Sequence, residues 1–159
     1  MATSPLVDER LALIYAESVR GLDQQERTID GFRSRAGTVV AAAALATAFL
    51  GGQALKNRSL HGLAWAGVGT FVATVVLSLA VLLPWRWVLV NSATSLIDQY
   101  VEGKEPQTLS ELQRDVALWN EINYDRNERW LRAYAAVFTA ACIFLVAEVV
   151  IWLVVVARR

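Results

Sequence analysis

Residues 134–157 read YAAVFTAACIFLVAEVVIWLVVVA, and their reading decides the fold. At about 1.5 Å of rise per residue such a helix crosses roughly 30 Å of hydrocarbon. Its single formal charge is Glu148. Working outward, residues 36–55 and 62–83 have the same character and carry no formal charge at all. The chain of 159 residues is 55% apolar and only 19% charged, and the charge is confined to the segments between these runs. This pattern predicts an all-α membrane protein with three transmembrane helices. It argues against a soluble enzyme, a disordered chain and a disulfide framework, Cys142 being the one cysteine. Lys+Arg and Asp+Glu are both 15, which argues against a basic nucleic-acid-binding domain.

The first thirty residues are charged and helical in pattern, with Asp8, Glu9, Glu17, Asp23, Glu26 and Asp30. They lack the apolar core of a cleavable signal, so span 36–55 is expected to act as the first insertion signal. With the N-terminus cytoplasmic, residues 1–35 and 84–133 hold eleven of the fifteen basic residues. Lys56, Arg58, Arg158 and Arg159 then lie outside. The excess of inner Lys and Arg predicts a cell-membrane protein with N-terminus inside and C-terminus outside. Trp85 and Trp87 fall at the inner end of the second span. Trp65 and Trp152 lie toward outer ends, the positions of an aromatic belt.

Ser4-Pro5 suits a helix start. Leu11, Tyr15, Ser18, Leu22, Gln25, Ile29, Phe32 and Ala36 then alternate spacings of four and three, a heptad seam. Nothing breaks the pattern before the first span, so residues 5–55 are expected to be one helix, with 1–35 forming a cytoplasmic arm. Gly51-Gly52 loosens its outer end, and Gln53–His61 is a hairpin. The second span stops at Pro84, and residues 86–102 are expected to be helical to a stop at Gly103. After a loop at 103–107, Thr108 with Glu111 forms the T-x-x-E capping pattern. Leu112, Val116, Trp119, Asn123, Arg126, Trp130, Ala133 and Val137 continue in fours and threes. Residues 108–157 are therefore expected to be a second long helix, cytoplasmic to residue 133 and membrane-spanning over 134–157.

The chain offers little for catalysis, and no enzyme, cofactor or metal site is expected. His61 is the single histidine and falls on the hairpin; it is an interfacial side chain or an external proton sensor. Cys142 is a small buried hydrophobe or a reactive thiol. Glu148 is the most informative residue. An acid inside a span is costly unless it faces protein or water, and its own helical neighbours are apolar. Its partner must come from another helix or another subunit. It either holds helices together or contributes to a ring of carboxylates in an oligomeric pore.

Gly62, Ala66, Thr70, Thr74 and Ser78 recur at i+4 in the second span, suiting close helix packing or a narrow wet path. Counting helical rise from the outer ends puts Thr47 and Thr74 near the depth of Glu148, as candidate partners. Arg114, Arg126 and Arg129, with Asn123 and Asn127, are candidates for a phosphate-bearing ligand, because guanidinium groups present paired donors in a fixed fork. Contact with lipid phosphates is the alternative. The segments assigned to the inside hold eleven basic and fourteen acidic residues, so a ligand would need a local ring of arginines.

Two stretches resemble a known family. The run Gly31–Gln53, GFRSRAGTVVAAAALATAFLGGQ, resembles the point at which the helix of SLATT-type proteins passes into the membrane. Leu118–Trp152, with WNEINYDRN near its start and AEVVIW at its end, resembles the last segment of related actinobacterial membrane proteins. The chain departs from their two-span pattern by its third span. The resemblance implies an antiphage effector that oligomerises and permeabilises the inner membrane. It also implies a nucleotidyltransferase-like partner enzyme and a nucleotide or short-oligonucleotide signal, as in CBASS-like, Pycsar-like or Hailong-like systems. A homo-oligomeric channel is expected, a tetramer as first guess, because one three-span subunit is too small to enclose a pore. The rival expectation is an anchor or scaffold for a soluble partner enzyme.

Overall fold

The computed structural model describes residues 5–55, 62–83, 87, 93–102 and 108–158. The Ser4 cap, residues 56–61 of the expected hairpin, the stop at Pro84 and the loop 103–107 lie outside the described residues, while Gln53–Leu55 at the hairpin's start are helical. Helix α1 spans Pro5–Ala46, and a π-helical turn at Thr47–Gly51 leads into α2, Gly52–Leu55. Helix α3 is Gly62–Leu82, α4 is Ala93–Tyr100 and α5 is Leu109–Ala157. Among the described residues there is no strand. Among the described residues three helical stretches are long and apolar enough to cross a membrane: Val7–Ala54, Gly62–Leu82 and Leu109–Ala157.

Local chemistry accounts for the start of α5. Glu111 Oε2 accepts hydrogen bonds from the backbone N–H and the hydroxyl of Thr108, at 2.8 and 2.9 Å. The Glu111 N–H donates back to Thr108 Oγ1 at 3.3 Å. This reciprocal box satisfies N–H groups that have no partner inside the helix. The bonds from the Thr108 backbone and hydroxyl hold the Glu111 pKa below its usual value. Helix α4 closes with the N–H groups of Val101 and Glu102 both donating to the Ile97 carbonyl.

The chain divides into two compact units, Met1–Ile29 with Arg86–Leu131, and Asp30–Trp85 with Arg132–Arg159. In the first, α1 and α5 meet through a polar face. Asn120 Nδ2 donates to Ser18 Oγ at 2.9 Å, and Ser18 Oγ donates to the Tyr15 carbonyl at 2.8 Å. Gln25 Nε2 donates to the Tyr124 carbonyl at 3.0 Å, and Ser110 donates to Asp8. Tyr100 Oη donates to Asp115 Oδ2 at 2.8 Å, joining α4 to α5. Partial burial first, and then the adjacent Asp115 carboxylate, raise the Tyr100 pKa above 10.0.

The heptad seam of α1 is its buried face: Leu22, Gln25, Ile29 and Ala36 are buried, and the face continues through Val39 and Ala43. The seam drawn on α5 is rotated. Buried positions there include Asn120, Asn127, Tyr134, Ala141 and Glu148, each seven residues after the last, while Arg126, Trp130 and Ala133 are exposed. Amides and small residues carry much of this face, which is offset by about 50° from the seam at 100° per residue; Asn123 of the seam is buried, and Leu112, Val116, Trp119 and Val137 are half-buried.

Replacing Asn120 by alanine is expected to lower stability by about 1 kcal/mol, since Ser18 Oγ loses its donor. Alanine at exposed Asp125 should stay within about 0.5 kcal/mol of wild type. Thermal unfolding of the detergent-solubilised protein checks both, and equal losses would mean that the Asn120 bond adds nothing.

In the second unit the polarity is that of a membrane protein. Thr74, Ser78 and Glu148 are buried, whereas Leu45, Phe49, Trp65, Val72, Val76, Ile143, Val146 and Leu153 are exposed. Fully buried Ala36, Ala43 and Ala141 let the helix backbones approach, the packing that operates where lipid leaves no hydrophobic drive between helices. Tyr134 is also fully buried, donates to the Val81 carbonyl and stacks edge-on against Phe32 at 6.1 Å between ring centroids. Phe138 lies 5.4 Å from the same Phe32 ring.

Candidate functional site: a buried carboxylate in the span bundle

Glu148 lies in the second unit, 0% exposed. Its Oε1 accepts a hydrogen bond from Thr47 Oγ1 at 2.6 Å. Thr47 opens the π-helical turn. Such turns insert one extra residue into a helix and are frequent at functional sites. Glu148 Oε2 is buried and makes no hydrogen bond. The partner of the carboxylate is therefore another helix of the same subunit.

One helical turn further along α5 sits Trp152, also 0% exposed. Its indole lies in a cradle of two glycines. A Cβ built on Gly67 of α3 would fall 2.8 Å from Trp152 Cε2, and one on Gly51 of the π turn 3.3 Å from Cζ2. Ala54, Ala64, Leu50, Val68, Val155 and Val156 complete the packing around it. Trp152 is thus a core residue and does not belong to an exposed aromatic belt, while Trp65 is 60% exposed. Trp152 Nε1, like Glu148 Oε2, makes no hydrogen bond. The sequence carries one signal for this cradle, small residues on two other spans near the depth of a tryptophan.

The i+4 row of the second span splits. Thr74 and Ser78 are buried, Thr70 is half-buried, and Gly62 and Ala66 are exposed. The reason is geometric: each i+4 step overshoots a full turn by about 40°, so a row of five drifts across to another face. The buried face instead runs Ala64, Gly67, Thr74, Ser78 and Val81. Thr74 donates to the Thr70 carbonyl at 2.9 Å, and Thr70 to the carbonyls of Ala66 and Gly67. Ser78 Oγ is buried with no hydrogen bond.

In the first unit the candidate ligand residues do not converge. Asn123 and Asn127 are buried, and Asn123 Nδ2 donates to the Trp119 carbonyl at 2.8 Å. Arg114, Arg126 and Arg129 are exposed, and about 100° per residue puts them within roughly 120° of one another around α5, with Arg126 about 60° from Asn123. What separates the two sets is burial: the arginines are exposed and the two amides are turned into the packed face. Arg114 also borders a groove of ≈ 580 Å³ walled by Leu11, Leu13, Ile14 and Leu118, with Glu17 and Glu121 at its edge. Comparison with protein families, with curated proteins and with solved structures finds no match to this chain.

Proposed function

We propose that the chain is the subunit of a homo-oligomeric ion channel in a bacterial cell membrane, with residues 1–35 and 84–133 on the cytoplasmic side and the C-terminus outside. The observation that carries this reading is Glu148: an acid wholly buried among three membrane-length helices, with one oxygen unpartnered. Ionisable groups are expensive at that depth and mark ion paths, gates or proton relays. Glu148 acts from inside each subunit on this reading, biasing the packing of the spans that line the pore, and does not stand as an open ring on the axis.

The groove bordered by Leu13, Ile14 and Leu118 supports oligomerisation, because exposed apolar surface of this kind favours a protein neighbour. A tetramer remains the first guess. The antiphage role, the nucleotide or oligonucleotide signal and the nucleotidyltransferase-like partner rest on the resemblance of Gly31–Gln53 and Leu118–Trp152 to SLATT-type proteins. The signal would be gripped by Arg114, Arg126 and Arg129 from neighbouring subunits, and its differential affinity for open and closed states would set the gate. Since Asn123 and Asn127 face inward, their part would be to hold the helix that presents the arginines.

Purified protein in planar bilayers should conduct, and Glu148→Gln should change single-channel conductance or open probability by several-fold while the oligomer persists in mass photometry. A protein that is strictly monomeric and silent in bilayers removes the channel and leaves the membrane anchor for a soluble enzyme.

A further inference from the structure

Glu148 Oε2 and Trp152 Nε1 are a buried acceptor and a buried donor, each without a hydrogen bond, four residues apart on one helix. Side chains at i and i+4 stand one above the other about 5–6 Å apart at Cβ, and helical side chains lean toward the N-terminus, so the indole leans over the turn that carries Glu148. Two hydrogen bonds in series span roughly 5.5 Å. A buried donor and a buried acceptor without hydrogen bonds, one turn apart on one helix, together match what one small bridging molecule needs.

The pair also selects the chemistry of the bridge. An indole N–H directed into the site repels a bare alkali cation, and a carboxyl oxygen repels an anion. A molecule that accepts from the N–H and donates to the carboxyl oxygen satisfies both, and water does so. We propose that Glu148 and Trp152 bind a single internal water between Oε2 and Nε1, and that this site takes a water and not an alkali cation. Thr47 holds the other oxygen at 2.6 Å, which leaves Oε2 as the oxygen open to the bridge. The inference takes from the channel reading only that the three helices are membrane spans, and its test does not depend on conduction.

The test is NMR on full-length protein in lipid nanodiscs, with ¹⁵N-indole-labelled tryptophan. The chain has six tryptophans, so Trp152→Phe assigns the resonance, and Phe replacements of the other five assign it by elimination if that variant does not fold. The expected result is a Trp152 N–H cross-peak to water, more slowly exchanging with deuterium than the exposed Trp65 by at least tenfold. Glu148→Gln should shift it, and exchanging sodium for potassium or lithium should leave it unchanged. A Trp152 N–H without a water cross-peak overturns the proposal. So does a resonance that titrates with sodium or lithium concentration, which would assign the site to a cation.

Discussion

Gly67→Ala is expected to be among the most destabilising single-methyl additions in the chain, lowering stability by about 1–3 kcal/mol. The new Cβ would meet three ring atoms of Trp152, at 2.8, 3.0 and 3.2 Å. An indole is rigid and, at 0% exposed, has packed neighbours on its other faces, so it does not yield as the tip of a lysine would. Gly51→Ala meets the same ring at 3.3 Å and should lose less. Gly69 and Gly52 have nothing within 4 Å of an added Cβ, and alanine there should be neutral or slightly stabilising, since alanine favours the helix by up to about 1 kcal/mol. The order expected from thermal or SDS-titrated unfolding is Gly67→Ala, then Gly51→Ala, then the two controls near wild type. Trp152→Phe combined with Gly67→Ala should recover part of the loss, because the smaller ring withdraws the atoms that clash; strictly additive losses would mean that the cradle is not what the glycine serves.

The cradle illustrates which features were legible in the sequence. Three membrane-length helices follow from three charge-free or nearly charge-free runs, because hydrocarbon imposes a length and a composition that few other environments do. The α1 seam and the Thr108–Glu111 box were legible because each depends on residues close together in one helix. The inward face of α5 was legible only to within about 50° of rotation. Its buried positions include Asn120, Asn127, Tyr134, Ala141 and Glu148, a row rich in polar and small residues that hydrophobic periodicity locates only loosely. The i+4 row of the second span is inward over Thr70, Thr74 and Ser78 and leaves the buried face at Gly62 and Ala66, through the accumulated drift of a 3.6-residue helix. The π turn at Thr47–Gly51 had no local signal beyond Gly51-Gly52, and only packing against α3 and α5 makes its wider geometry worthwhile.

That turn brings Thr47 to Glu148, and removing the hydroxyl should have the second large effect. Thr47→Val keeps shape and volume but leaves Glu148 Oε1 without its 2.6 Å donor, so that both carboxyl oxygens are buried and unsatisfied by protein. Stranding a buried acceptor costs about 1–3 kcal/mol, whereas hydrogen bonds between membrane helices have measured couplings nearer 0.6 and at most about 1.7 kcal/mol. The lower range applies here, because the unfolded chain in a membrane also finds partners for Glu148. Thr47→Ser should retain most of the stability, since the donor survives. In a Glu148→Leu background Thr47→Val should become nearly silent, there being no acceptor left to strand. In a Glu148→Gln background it should still be felt, because the amide carbonyl can occupy the same position. The double-mutant cycle of Thr47→Val with Glu148→Leu is expected to give a coupling of about 0.6–1.7 kcal/mol, with the loss from Thr47→Val in the leucine background within about 0.3 kcal/mol of zero. Equal losses from Thr47→Val in both backgrounds would show that the threonine packs against its neighbours without bonding to the acid, and the π turn would then need another explanation.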